Sequence, residues 1–179
     1  MYDLHSILIQ LKKEDTPLHG VMVRCVRCFY QWLDPTLWEG SALFELWAQE
    51  LELIYGDLHQ RLSPNAKTDA GSLGDRFGFD TPPELPRLLQ SIQTFYSVLI
   101  KLIAWNTLRG ATPEPPLTEL LSGRAFVNRG IRNFCGDDWY IWPLDVWDPA
   151  LETQCEELRA CLKSFDTCPE GSTLSPDSL

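Results

Sequence analysis

Apolar residues recur at intervals of three and four along most of this chain, the period of a helix that buries one face. Leu4, Ile7, Leu8 and Leu11 set the first such stripe and predict a short helix over residues 2–13. Lys12 and Lys13 close it, where positive charge suits the helix dipole. Asp15-Thr16-Pro17 breaks the pattern. A second helix is predicted over residues 18–33, with Val21, Cys25, Cys28, Phe29 and Trp32 on one side. Asp34-Pro35 ends it, because proline disfavours helical geometry in the residue before it.

Ser41 is placed to cap a third helix. Its stripe is Leu43, Phe44, Trp47, Leu51 and Ile54, with Tyr55 adjoining and Gly56 near the end. Residues 63–83 then lose the periodicity. They read as a long loop with one short helical turn at most. The strongest helix follows, over residues 83–108. Leu85, Leu88, Leu89, Ile92, Phe95, Tyr96, Leu99, Leu102 and Ile103 keep helical spacing over more than five turns, and Ile100 and Trp105 widen the stripe. A helix apolar on so much of its circumference belongs in the centre of a core.

A proline-rich connector, ATPEPP, precedes one or two helical turns at Leu117–Leu121. The aromatic stretch Asp138-Trp139-Tyr140-Ile141-Trp142-Pro143 is too short to classify by period, so a strand and an irregular segment both stay open. A last helix is predicted over residues 149–165, with Leu151, Leu158, Leu162 and Phe165 apolar. The expected fold is all-α or mainly α. It is an irregular multi-helix bundle around a long central helix, with allowance for one short hairpin. Residues 1–166 are expected to form a single helical domain. Residues 167–179, TCPEGSTLSPDSL, read as a disordered or truncated tail.

The length of 179 residues suits one such domain. With 44% apolar and 22% charged residues, a fully disordered chain is excluded. The net charge of −10 is uneven: residues 133–179 hold two basic and ten acidic side chains. That excess would repel DNA or an anionic membrane. The most apolar run, from Phe95 to Trp105, is broken by Lys101 and is shorter than the roughly 20 residues a bilayer span needs. The first residues do not read as a signal peptide, which points to a cytoplasmic protein with reduced thiols.

Candidate chemistry is sparse. Cys25-x-x-Cys28 invites a zinc or redox reading, but no second short pair supplies the other zinc ligands. A redox pair would open a helix after a strand, whereas this one sits within a helix pattern. Two buried thiols are the simpler reading. Gly71, Gly74 and Gly78 lack the lysine of a phosphate loop and read as a flexible turn. Asp137, Asp138, Asp145 and Asp148 match no calcium loop. No catalytic, cofactor-binding or metal-ligating residue is therefore assigned. Arg124, Arg129 and Arg132 form the one local basic cluster and are candidate DNA contacts through phosphates. Pairing with the acidic C-terminal part would occupy them equally well. Trp139, Tyr140, Trp142 and Trp147 are candidate interface residues, since aromatics anchor interfaces.

Three segments, in order, resemble one family. The first is Leu43-Phe44-Glu45-Leu46-Trp47 with Ile54-Tyr55-Gly56. The second runs from Gln93 to Ala104, and the third is Asp138-Trp139-Tyr140-Ile141-Trp142 with the helix to Phe165-Asp166 behind it. Over about residues 40–166 the chain is similar to the helical region ahead of the catalytic domain in large bacterial adenine-specific DNA methyltransferases. These serve restriction-modification and phage defence. The family's Gly-x-Tyr-Tyr-Thr-Pro segment, its S-adenosylmethionine loop and its Asn/Asp-Pro-Pro-Tyr motif are absent from this sequence. The resemblance therefore implies a non-catalytic scaffold module, truncated, split or excised, without a cofactor of its own. Phe44, Trp47, Tyr55, Tyr96, Leu99 and Lys101 carry over as scaffold positions only. Its implied partners are the methylase catalytic domain or another defence subunit, with DNA met only in the larger assembly and no membrane. The alternative is a freestanding cytosolic adaptor that holds a basic protein through its aromatic stretch and acidic tail.

Overall fold

The computed structural model describes residues 4–34, 44–50, 53, 66–108, 112–135 and 138–165. Among the described residues it is all-helical: eight α-helices, a further helical stretch at residues 44–50 and one 3-10 turn, with no strand. The hairpin allowed by the sequence is not found there, and the multi-helix bundle is.

Helix α1 (Leu4–Lys12) turns Ile7 and Leu11 inward, while Leu4 and Leu8 stay exposed. Its buried stripe is thus narrower than the periodicity suggests. Thr16 joins it to α2 (Pro17–Trp32). The Thr16 hydroxyl accepts from the His19 N–H at 3.2 Å and donates back to the Gln10 carbonyl. Pro17 at the first helical position needs no amide partner. One face of α2 buries Leu18, Val21, Met22, Cys25, Val26 and Phe29. Its C-terminus is held by Arg87, whose Nε donates to the Tyr30 carbonyl at 2.6 Å and whose Nη2 donates to the Gln31 carbonyl at 3.2 Å. The same guanidinium lies 4.1 Å from the centre of the Tyr30 ring. Positive charge at the end of a helix meets its unpaired carbonyls and its dipole together.

Residues 44–50 are helical, and Phe44 and Trp47 are buried there with rings stacked 6.1 Å apart. The predicted Ser41 cap and the stripe positions Leu43, Leu51, Ile54 and Tyr55 lie outside the described residues.

Helix α3 (Ala66–Arg76) corrects the loop expected over residues 63–83. Gly71 and Gly74 lie within it, and Gly78 ends it with φ +68°. The Phe79 N–H reaches the Gly74 carbonyl at 3.1 Å and the Gly78 N–H reaches that of Asp75 at 3.0 Å. This pair of bonds is the Schellman stop, which needs a left-handed residue. A Cβ on Gly74 would come within 2.5 Å of Pro83 Cδ, so only glycine lets the helix approach there. Phe79 then packs edge-on to Tyr30 of α2, ring centres 4.8 Å apart.

Helix α4 (Leu85–Leu108) buries Leu88, Phe95, Val98, Leu99, Leu102 and Trp105, while Tyr96 and Ile100 stay exposed. By length and composition alone it could cross a membrane, with a mean hydropathy of 1.2. Here it is a core helix that also buries Gln90, Ser91, Thr94 and Lys101. Ser91 and Thr94 donate to carbonyls one turn back, at 2.7 and 2.8 Å. Lys101, 2% exposed, neither snorkels nor reaches solvent: its Nζ donates to the Leu121 carbonyl at 2.8 Å.

Helices α5 (Leu117–Leu121) and α6 (Arg124–Val127) cap one end of α4 with Leu117, Leu120, Leu121, Ala125 and Phe126. Gly123 between them has φ +80°, and a Cβ there would lie 2.3 Å from the Phe134 carbonyl oxygen. The aromatic stretch becomes α7 (Asp138–Ile141) and a 3-10 turn (Trp142–Leu144), not a strand. Helix α8 (Pro149–Lys163) opens on Asp148, whose Oδ1 accepts from the Leu151 N–H at 2.8 Å. It buries Leu151, Cys155, Leu158 and Leu162. Helix α2 packs on α1, α4 and α8, and so shares the centre with α4.

Candidate functional site

The basic cluster sits around the end of α6. Gly130, with φ +77°, reverses the chain there, and the Ile131 N–H closes on the Phe126 carbonyl at 3.1 Å. Arg124, Arg129 and Arg132 are exposed on either side of this turn. They do not behave alike. Arg129 donates to the Leu108 carbonyl and to Thr112 Oγ1, and its guanidinium lies 5.2 Å from the centre of the Trp105 ring. It therefore fastens the end of α4 to the start of the proline-rich connector. Arg124 and Arg132 make no ion pair or hydrogen bond among the described residues. Two of the three acids of α8 are engaged elsewhere: Glu157 with Arg24 at 2.7 Å, and Glu156 with Arg159 at 3.3 Å. Pairing with the acidic C-terminal part is thus not seen for Arg124 or Arg132 within the described residues.

The aromatic stretch divides. Trp142 is a core residue, 1% exposed, and this corrects its place among the candidate interface residues. Its Nε1 donates to Thr94 Oγ1 at 3.0 Å, and its ring meets Phe29 edge-on at 5.9 Å. A buried indole with its N–H satisfied has nothing left to offer a partner. Tyr140 is half-buried and its hydroxyl donates to Gln93 Oε1 at 2.6 Å. Trp147 is half-buried against the core. The side chain of Trp139 lies outside the described residues.

Four thiols, Cys25, Cys28, Cys155 and Cys161, lie on α2 and α8. Cys25 and Cys155 are buried, and the Cys25 thiol donates to the Gln154 carbonyl at 3.5 Å. Burial pushes Cys25 well above the ordinary 9.0, and the neighbouring thiols Cys155 and Cys28 add to the rise. Burial likewise raises Cys155 to about 12 and Cys28 to about 11. Such thiols stay protonated near neutral pH and act as small apolar packers, not nucleophiles. Among the described residues no group of cysteine, histidine and carboxylate side chains is placed to hold a metal. Of the four aspartates singled out, Asp148 is the α8 cap and Asp145 is exposed. Asp137 and the side chain of Asp138 lie outside the described residues.

One cleft went unmarked in the sequence. It has a volume of about 440 Å³ and is open to solvent, with walls from Trp105, Pro113, Pro115, Glu119, Asn128 and Arg129. Helix α8 braces its far side: Arg159 Nη2 donates to the Pro115 carbonyl at 3.3 Å, and Lys163 pairs with Glu114 at 3.0 Å. Among the described residues the buried Trp105 Nε1 has no acceptor, in contrast to Trp142. The sequence signal for this feature is the ATPEPP connector beside the arginine cluster, which marks rigid chain next to cationic side chains but no chemistry. Set against protein-family models, curated proteins and solved structures, the chain matches none of them.

Proposed function

We propose that the chain is a non-catalytic helical scaffold module of a DNA adenine methyltransferase or restriction-modification enzyme. Its task is to support the methylase domain. The observation that carries this reading is the union of two segments of the family resemblance. Gln93 and Thr94 of the second segment receive the hydrogen bonds of Tyr140 and Trp142 of the third, at 2.6 and 3.0 Å. Phe44 and Trp47 of the first segment are buried and stacked. Phe44, Trp47, Thr94, Phe95, Leu99 and Trp142, all within the segments that carry the resemblance, are core residues, which is what a scaffold retains when the chemistry lies in another domain.

In this reading the partner is the methylase catalytic domain or another defence subunit in the cytoplasm, where free thiols stay reduced. DNA is met only within the assembly, through Arg124 and Arg132, which are exposed and not engaged within the described fold. The rival, a freestanding adaptor, drew on the aromatic stretch, and the burial of Trp142 removes the middle of that surface. The test is a methyl-transfer assay with labelled S-adenosylmethionine and duplex DNA. The isolated chain should transfer nothing, and a separately produced methylase domain encoded beside it should gain activity when the chain is added. Transfer by the chain alone, or a methylase domain indifferent to it, would refute the proposal.

A further inference from the structure

We draw no further inference here: the strongest candidate, the cleft between the end of α4, the proline-rich connector and α6, has as its one notable polar atom a Trp105 Nε1 that is itself sealed from solvent, and its remaining mixed lining of Glu119, Asn128 and Arg129 singles out no ligand chemistry.

Discussion

Trp142 and Arg129 show how much a single side chain's partner decides. Both lie in segments where the sequence offers a binding role, and both are spent on the fold. Replacing Thr94 by valine keeps the side-chain shape but leaves the Trp142 N–H buried without its acceptor at 3.0 Å. That should cost about 1–3 kcal/mol in urea unfolding. Tyr140→Phe, at a half-buried site, should cost less, about 0.5–1.5 kcal/mol. Equal losses would mean that the indole bond is not a core anchor. Among the arginines, Arg129→Ala removes two hydrogen bonds and the contact with the Trp105 ring, and should lower stability by about 1–2 kcal/mol. Arg124→Ala and Arg132→Ala should stay within about 0.5 kcal/mol of the parent. In the proposed assembly with a methylase domain the order should reverse. Each of those two changes should weaken DNA binding and flatten its salt dependence by about one unit of slope, measured by titration at several salt concentrations. An unchanged slope would take DNA contact away from both.

Helices differ in how plainly the sequence announces them, and the reason is physical. The stripes of α2, α4 and α8 are long, and their apolar spacing marks the buried residues Phe29, Leu99 and Leu158 directly. Helix α3 was hidden because Gly71 and Gly74 lower helix propensity. The close approach of Pro83 explains why Gly74 is glycine, and that contact is long-range information no local window holds. The turns at residues 138–144 are too short for a period to emerge. The cleft suffered more: the Arg129 bond to the Leu108 carbonyl and the Arg159 bond to the Pro115 carbonyl join residues far apart in sequence, so neither can be read from spacing. Two tests belong at this scale. Leu99→Ala in the centre of α4 should open a cavity costing about 2–5 kcal/mol, seen as a lower urea midpoint. An unchanged midpoint would misplace the core. The α2–α8 interface should also respond to alkali. Cys25 and Cys155 titrate above 9.0 when folded, Cys155 at about 12, so as pH rises past 9 the unfolded chain loses those protons first. Stability present below pH 9 should therefore fall as pH rises, by up to about 1.4 kcal/mol per pH unit for each thiol. Cys155→Ala should flatten that slope; a slope identical to the parent's would show the thiol is not held protonated.

At the scale of the whole molecule, an all-helical bundle underlies the proposed role, in which chemistry is supplied by a partner. Two central helices, α2 and α4, carry the packing, and Ser91, Thr94 and Lys101, polar side chains buried in α4, donate to carbonyls within the bundle. Its cationic surface near α6 is small against a net charge of −10, so the DNA contact proposed above would need the larger assembly. The most direct measurement is the nucleotide sequence downstream of the Leu179 codon, read in all three frames. The account predicts a Gly-x-Tyr-Tyr-Thr-Pro segment followed by an Asn/Asp-Pro-Pro-Tyr motif. Unrelated sequence in every frame would contradict it.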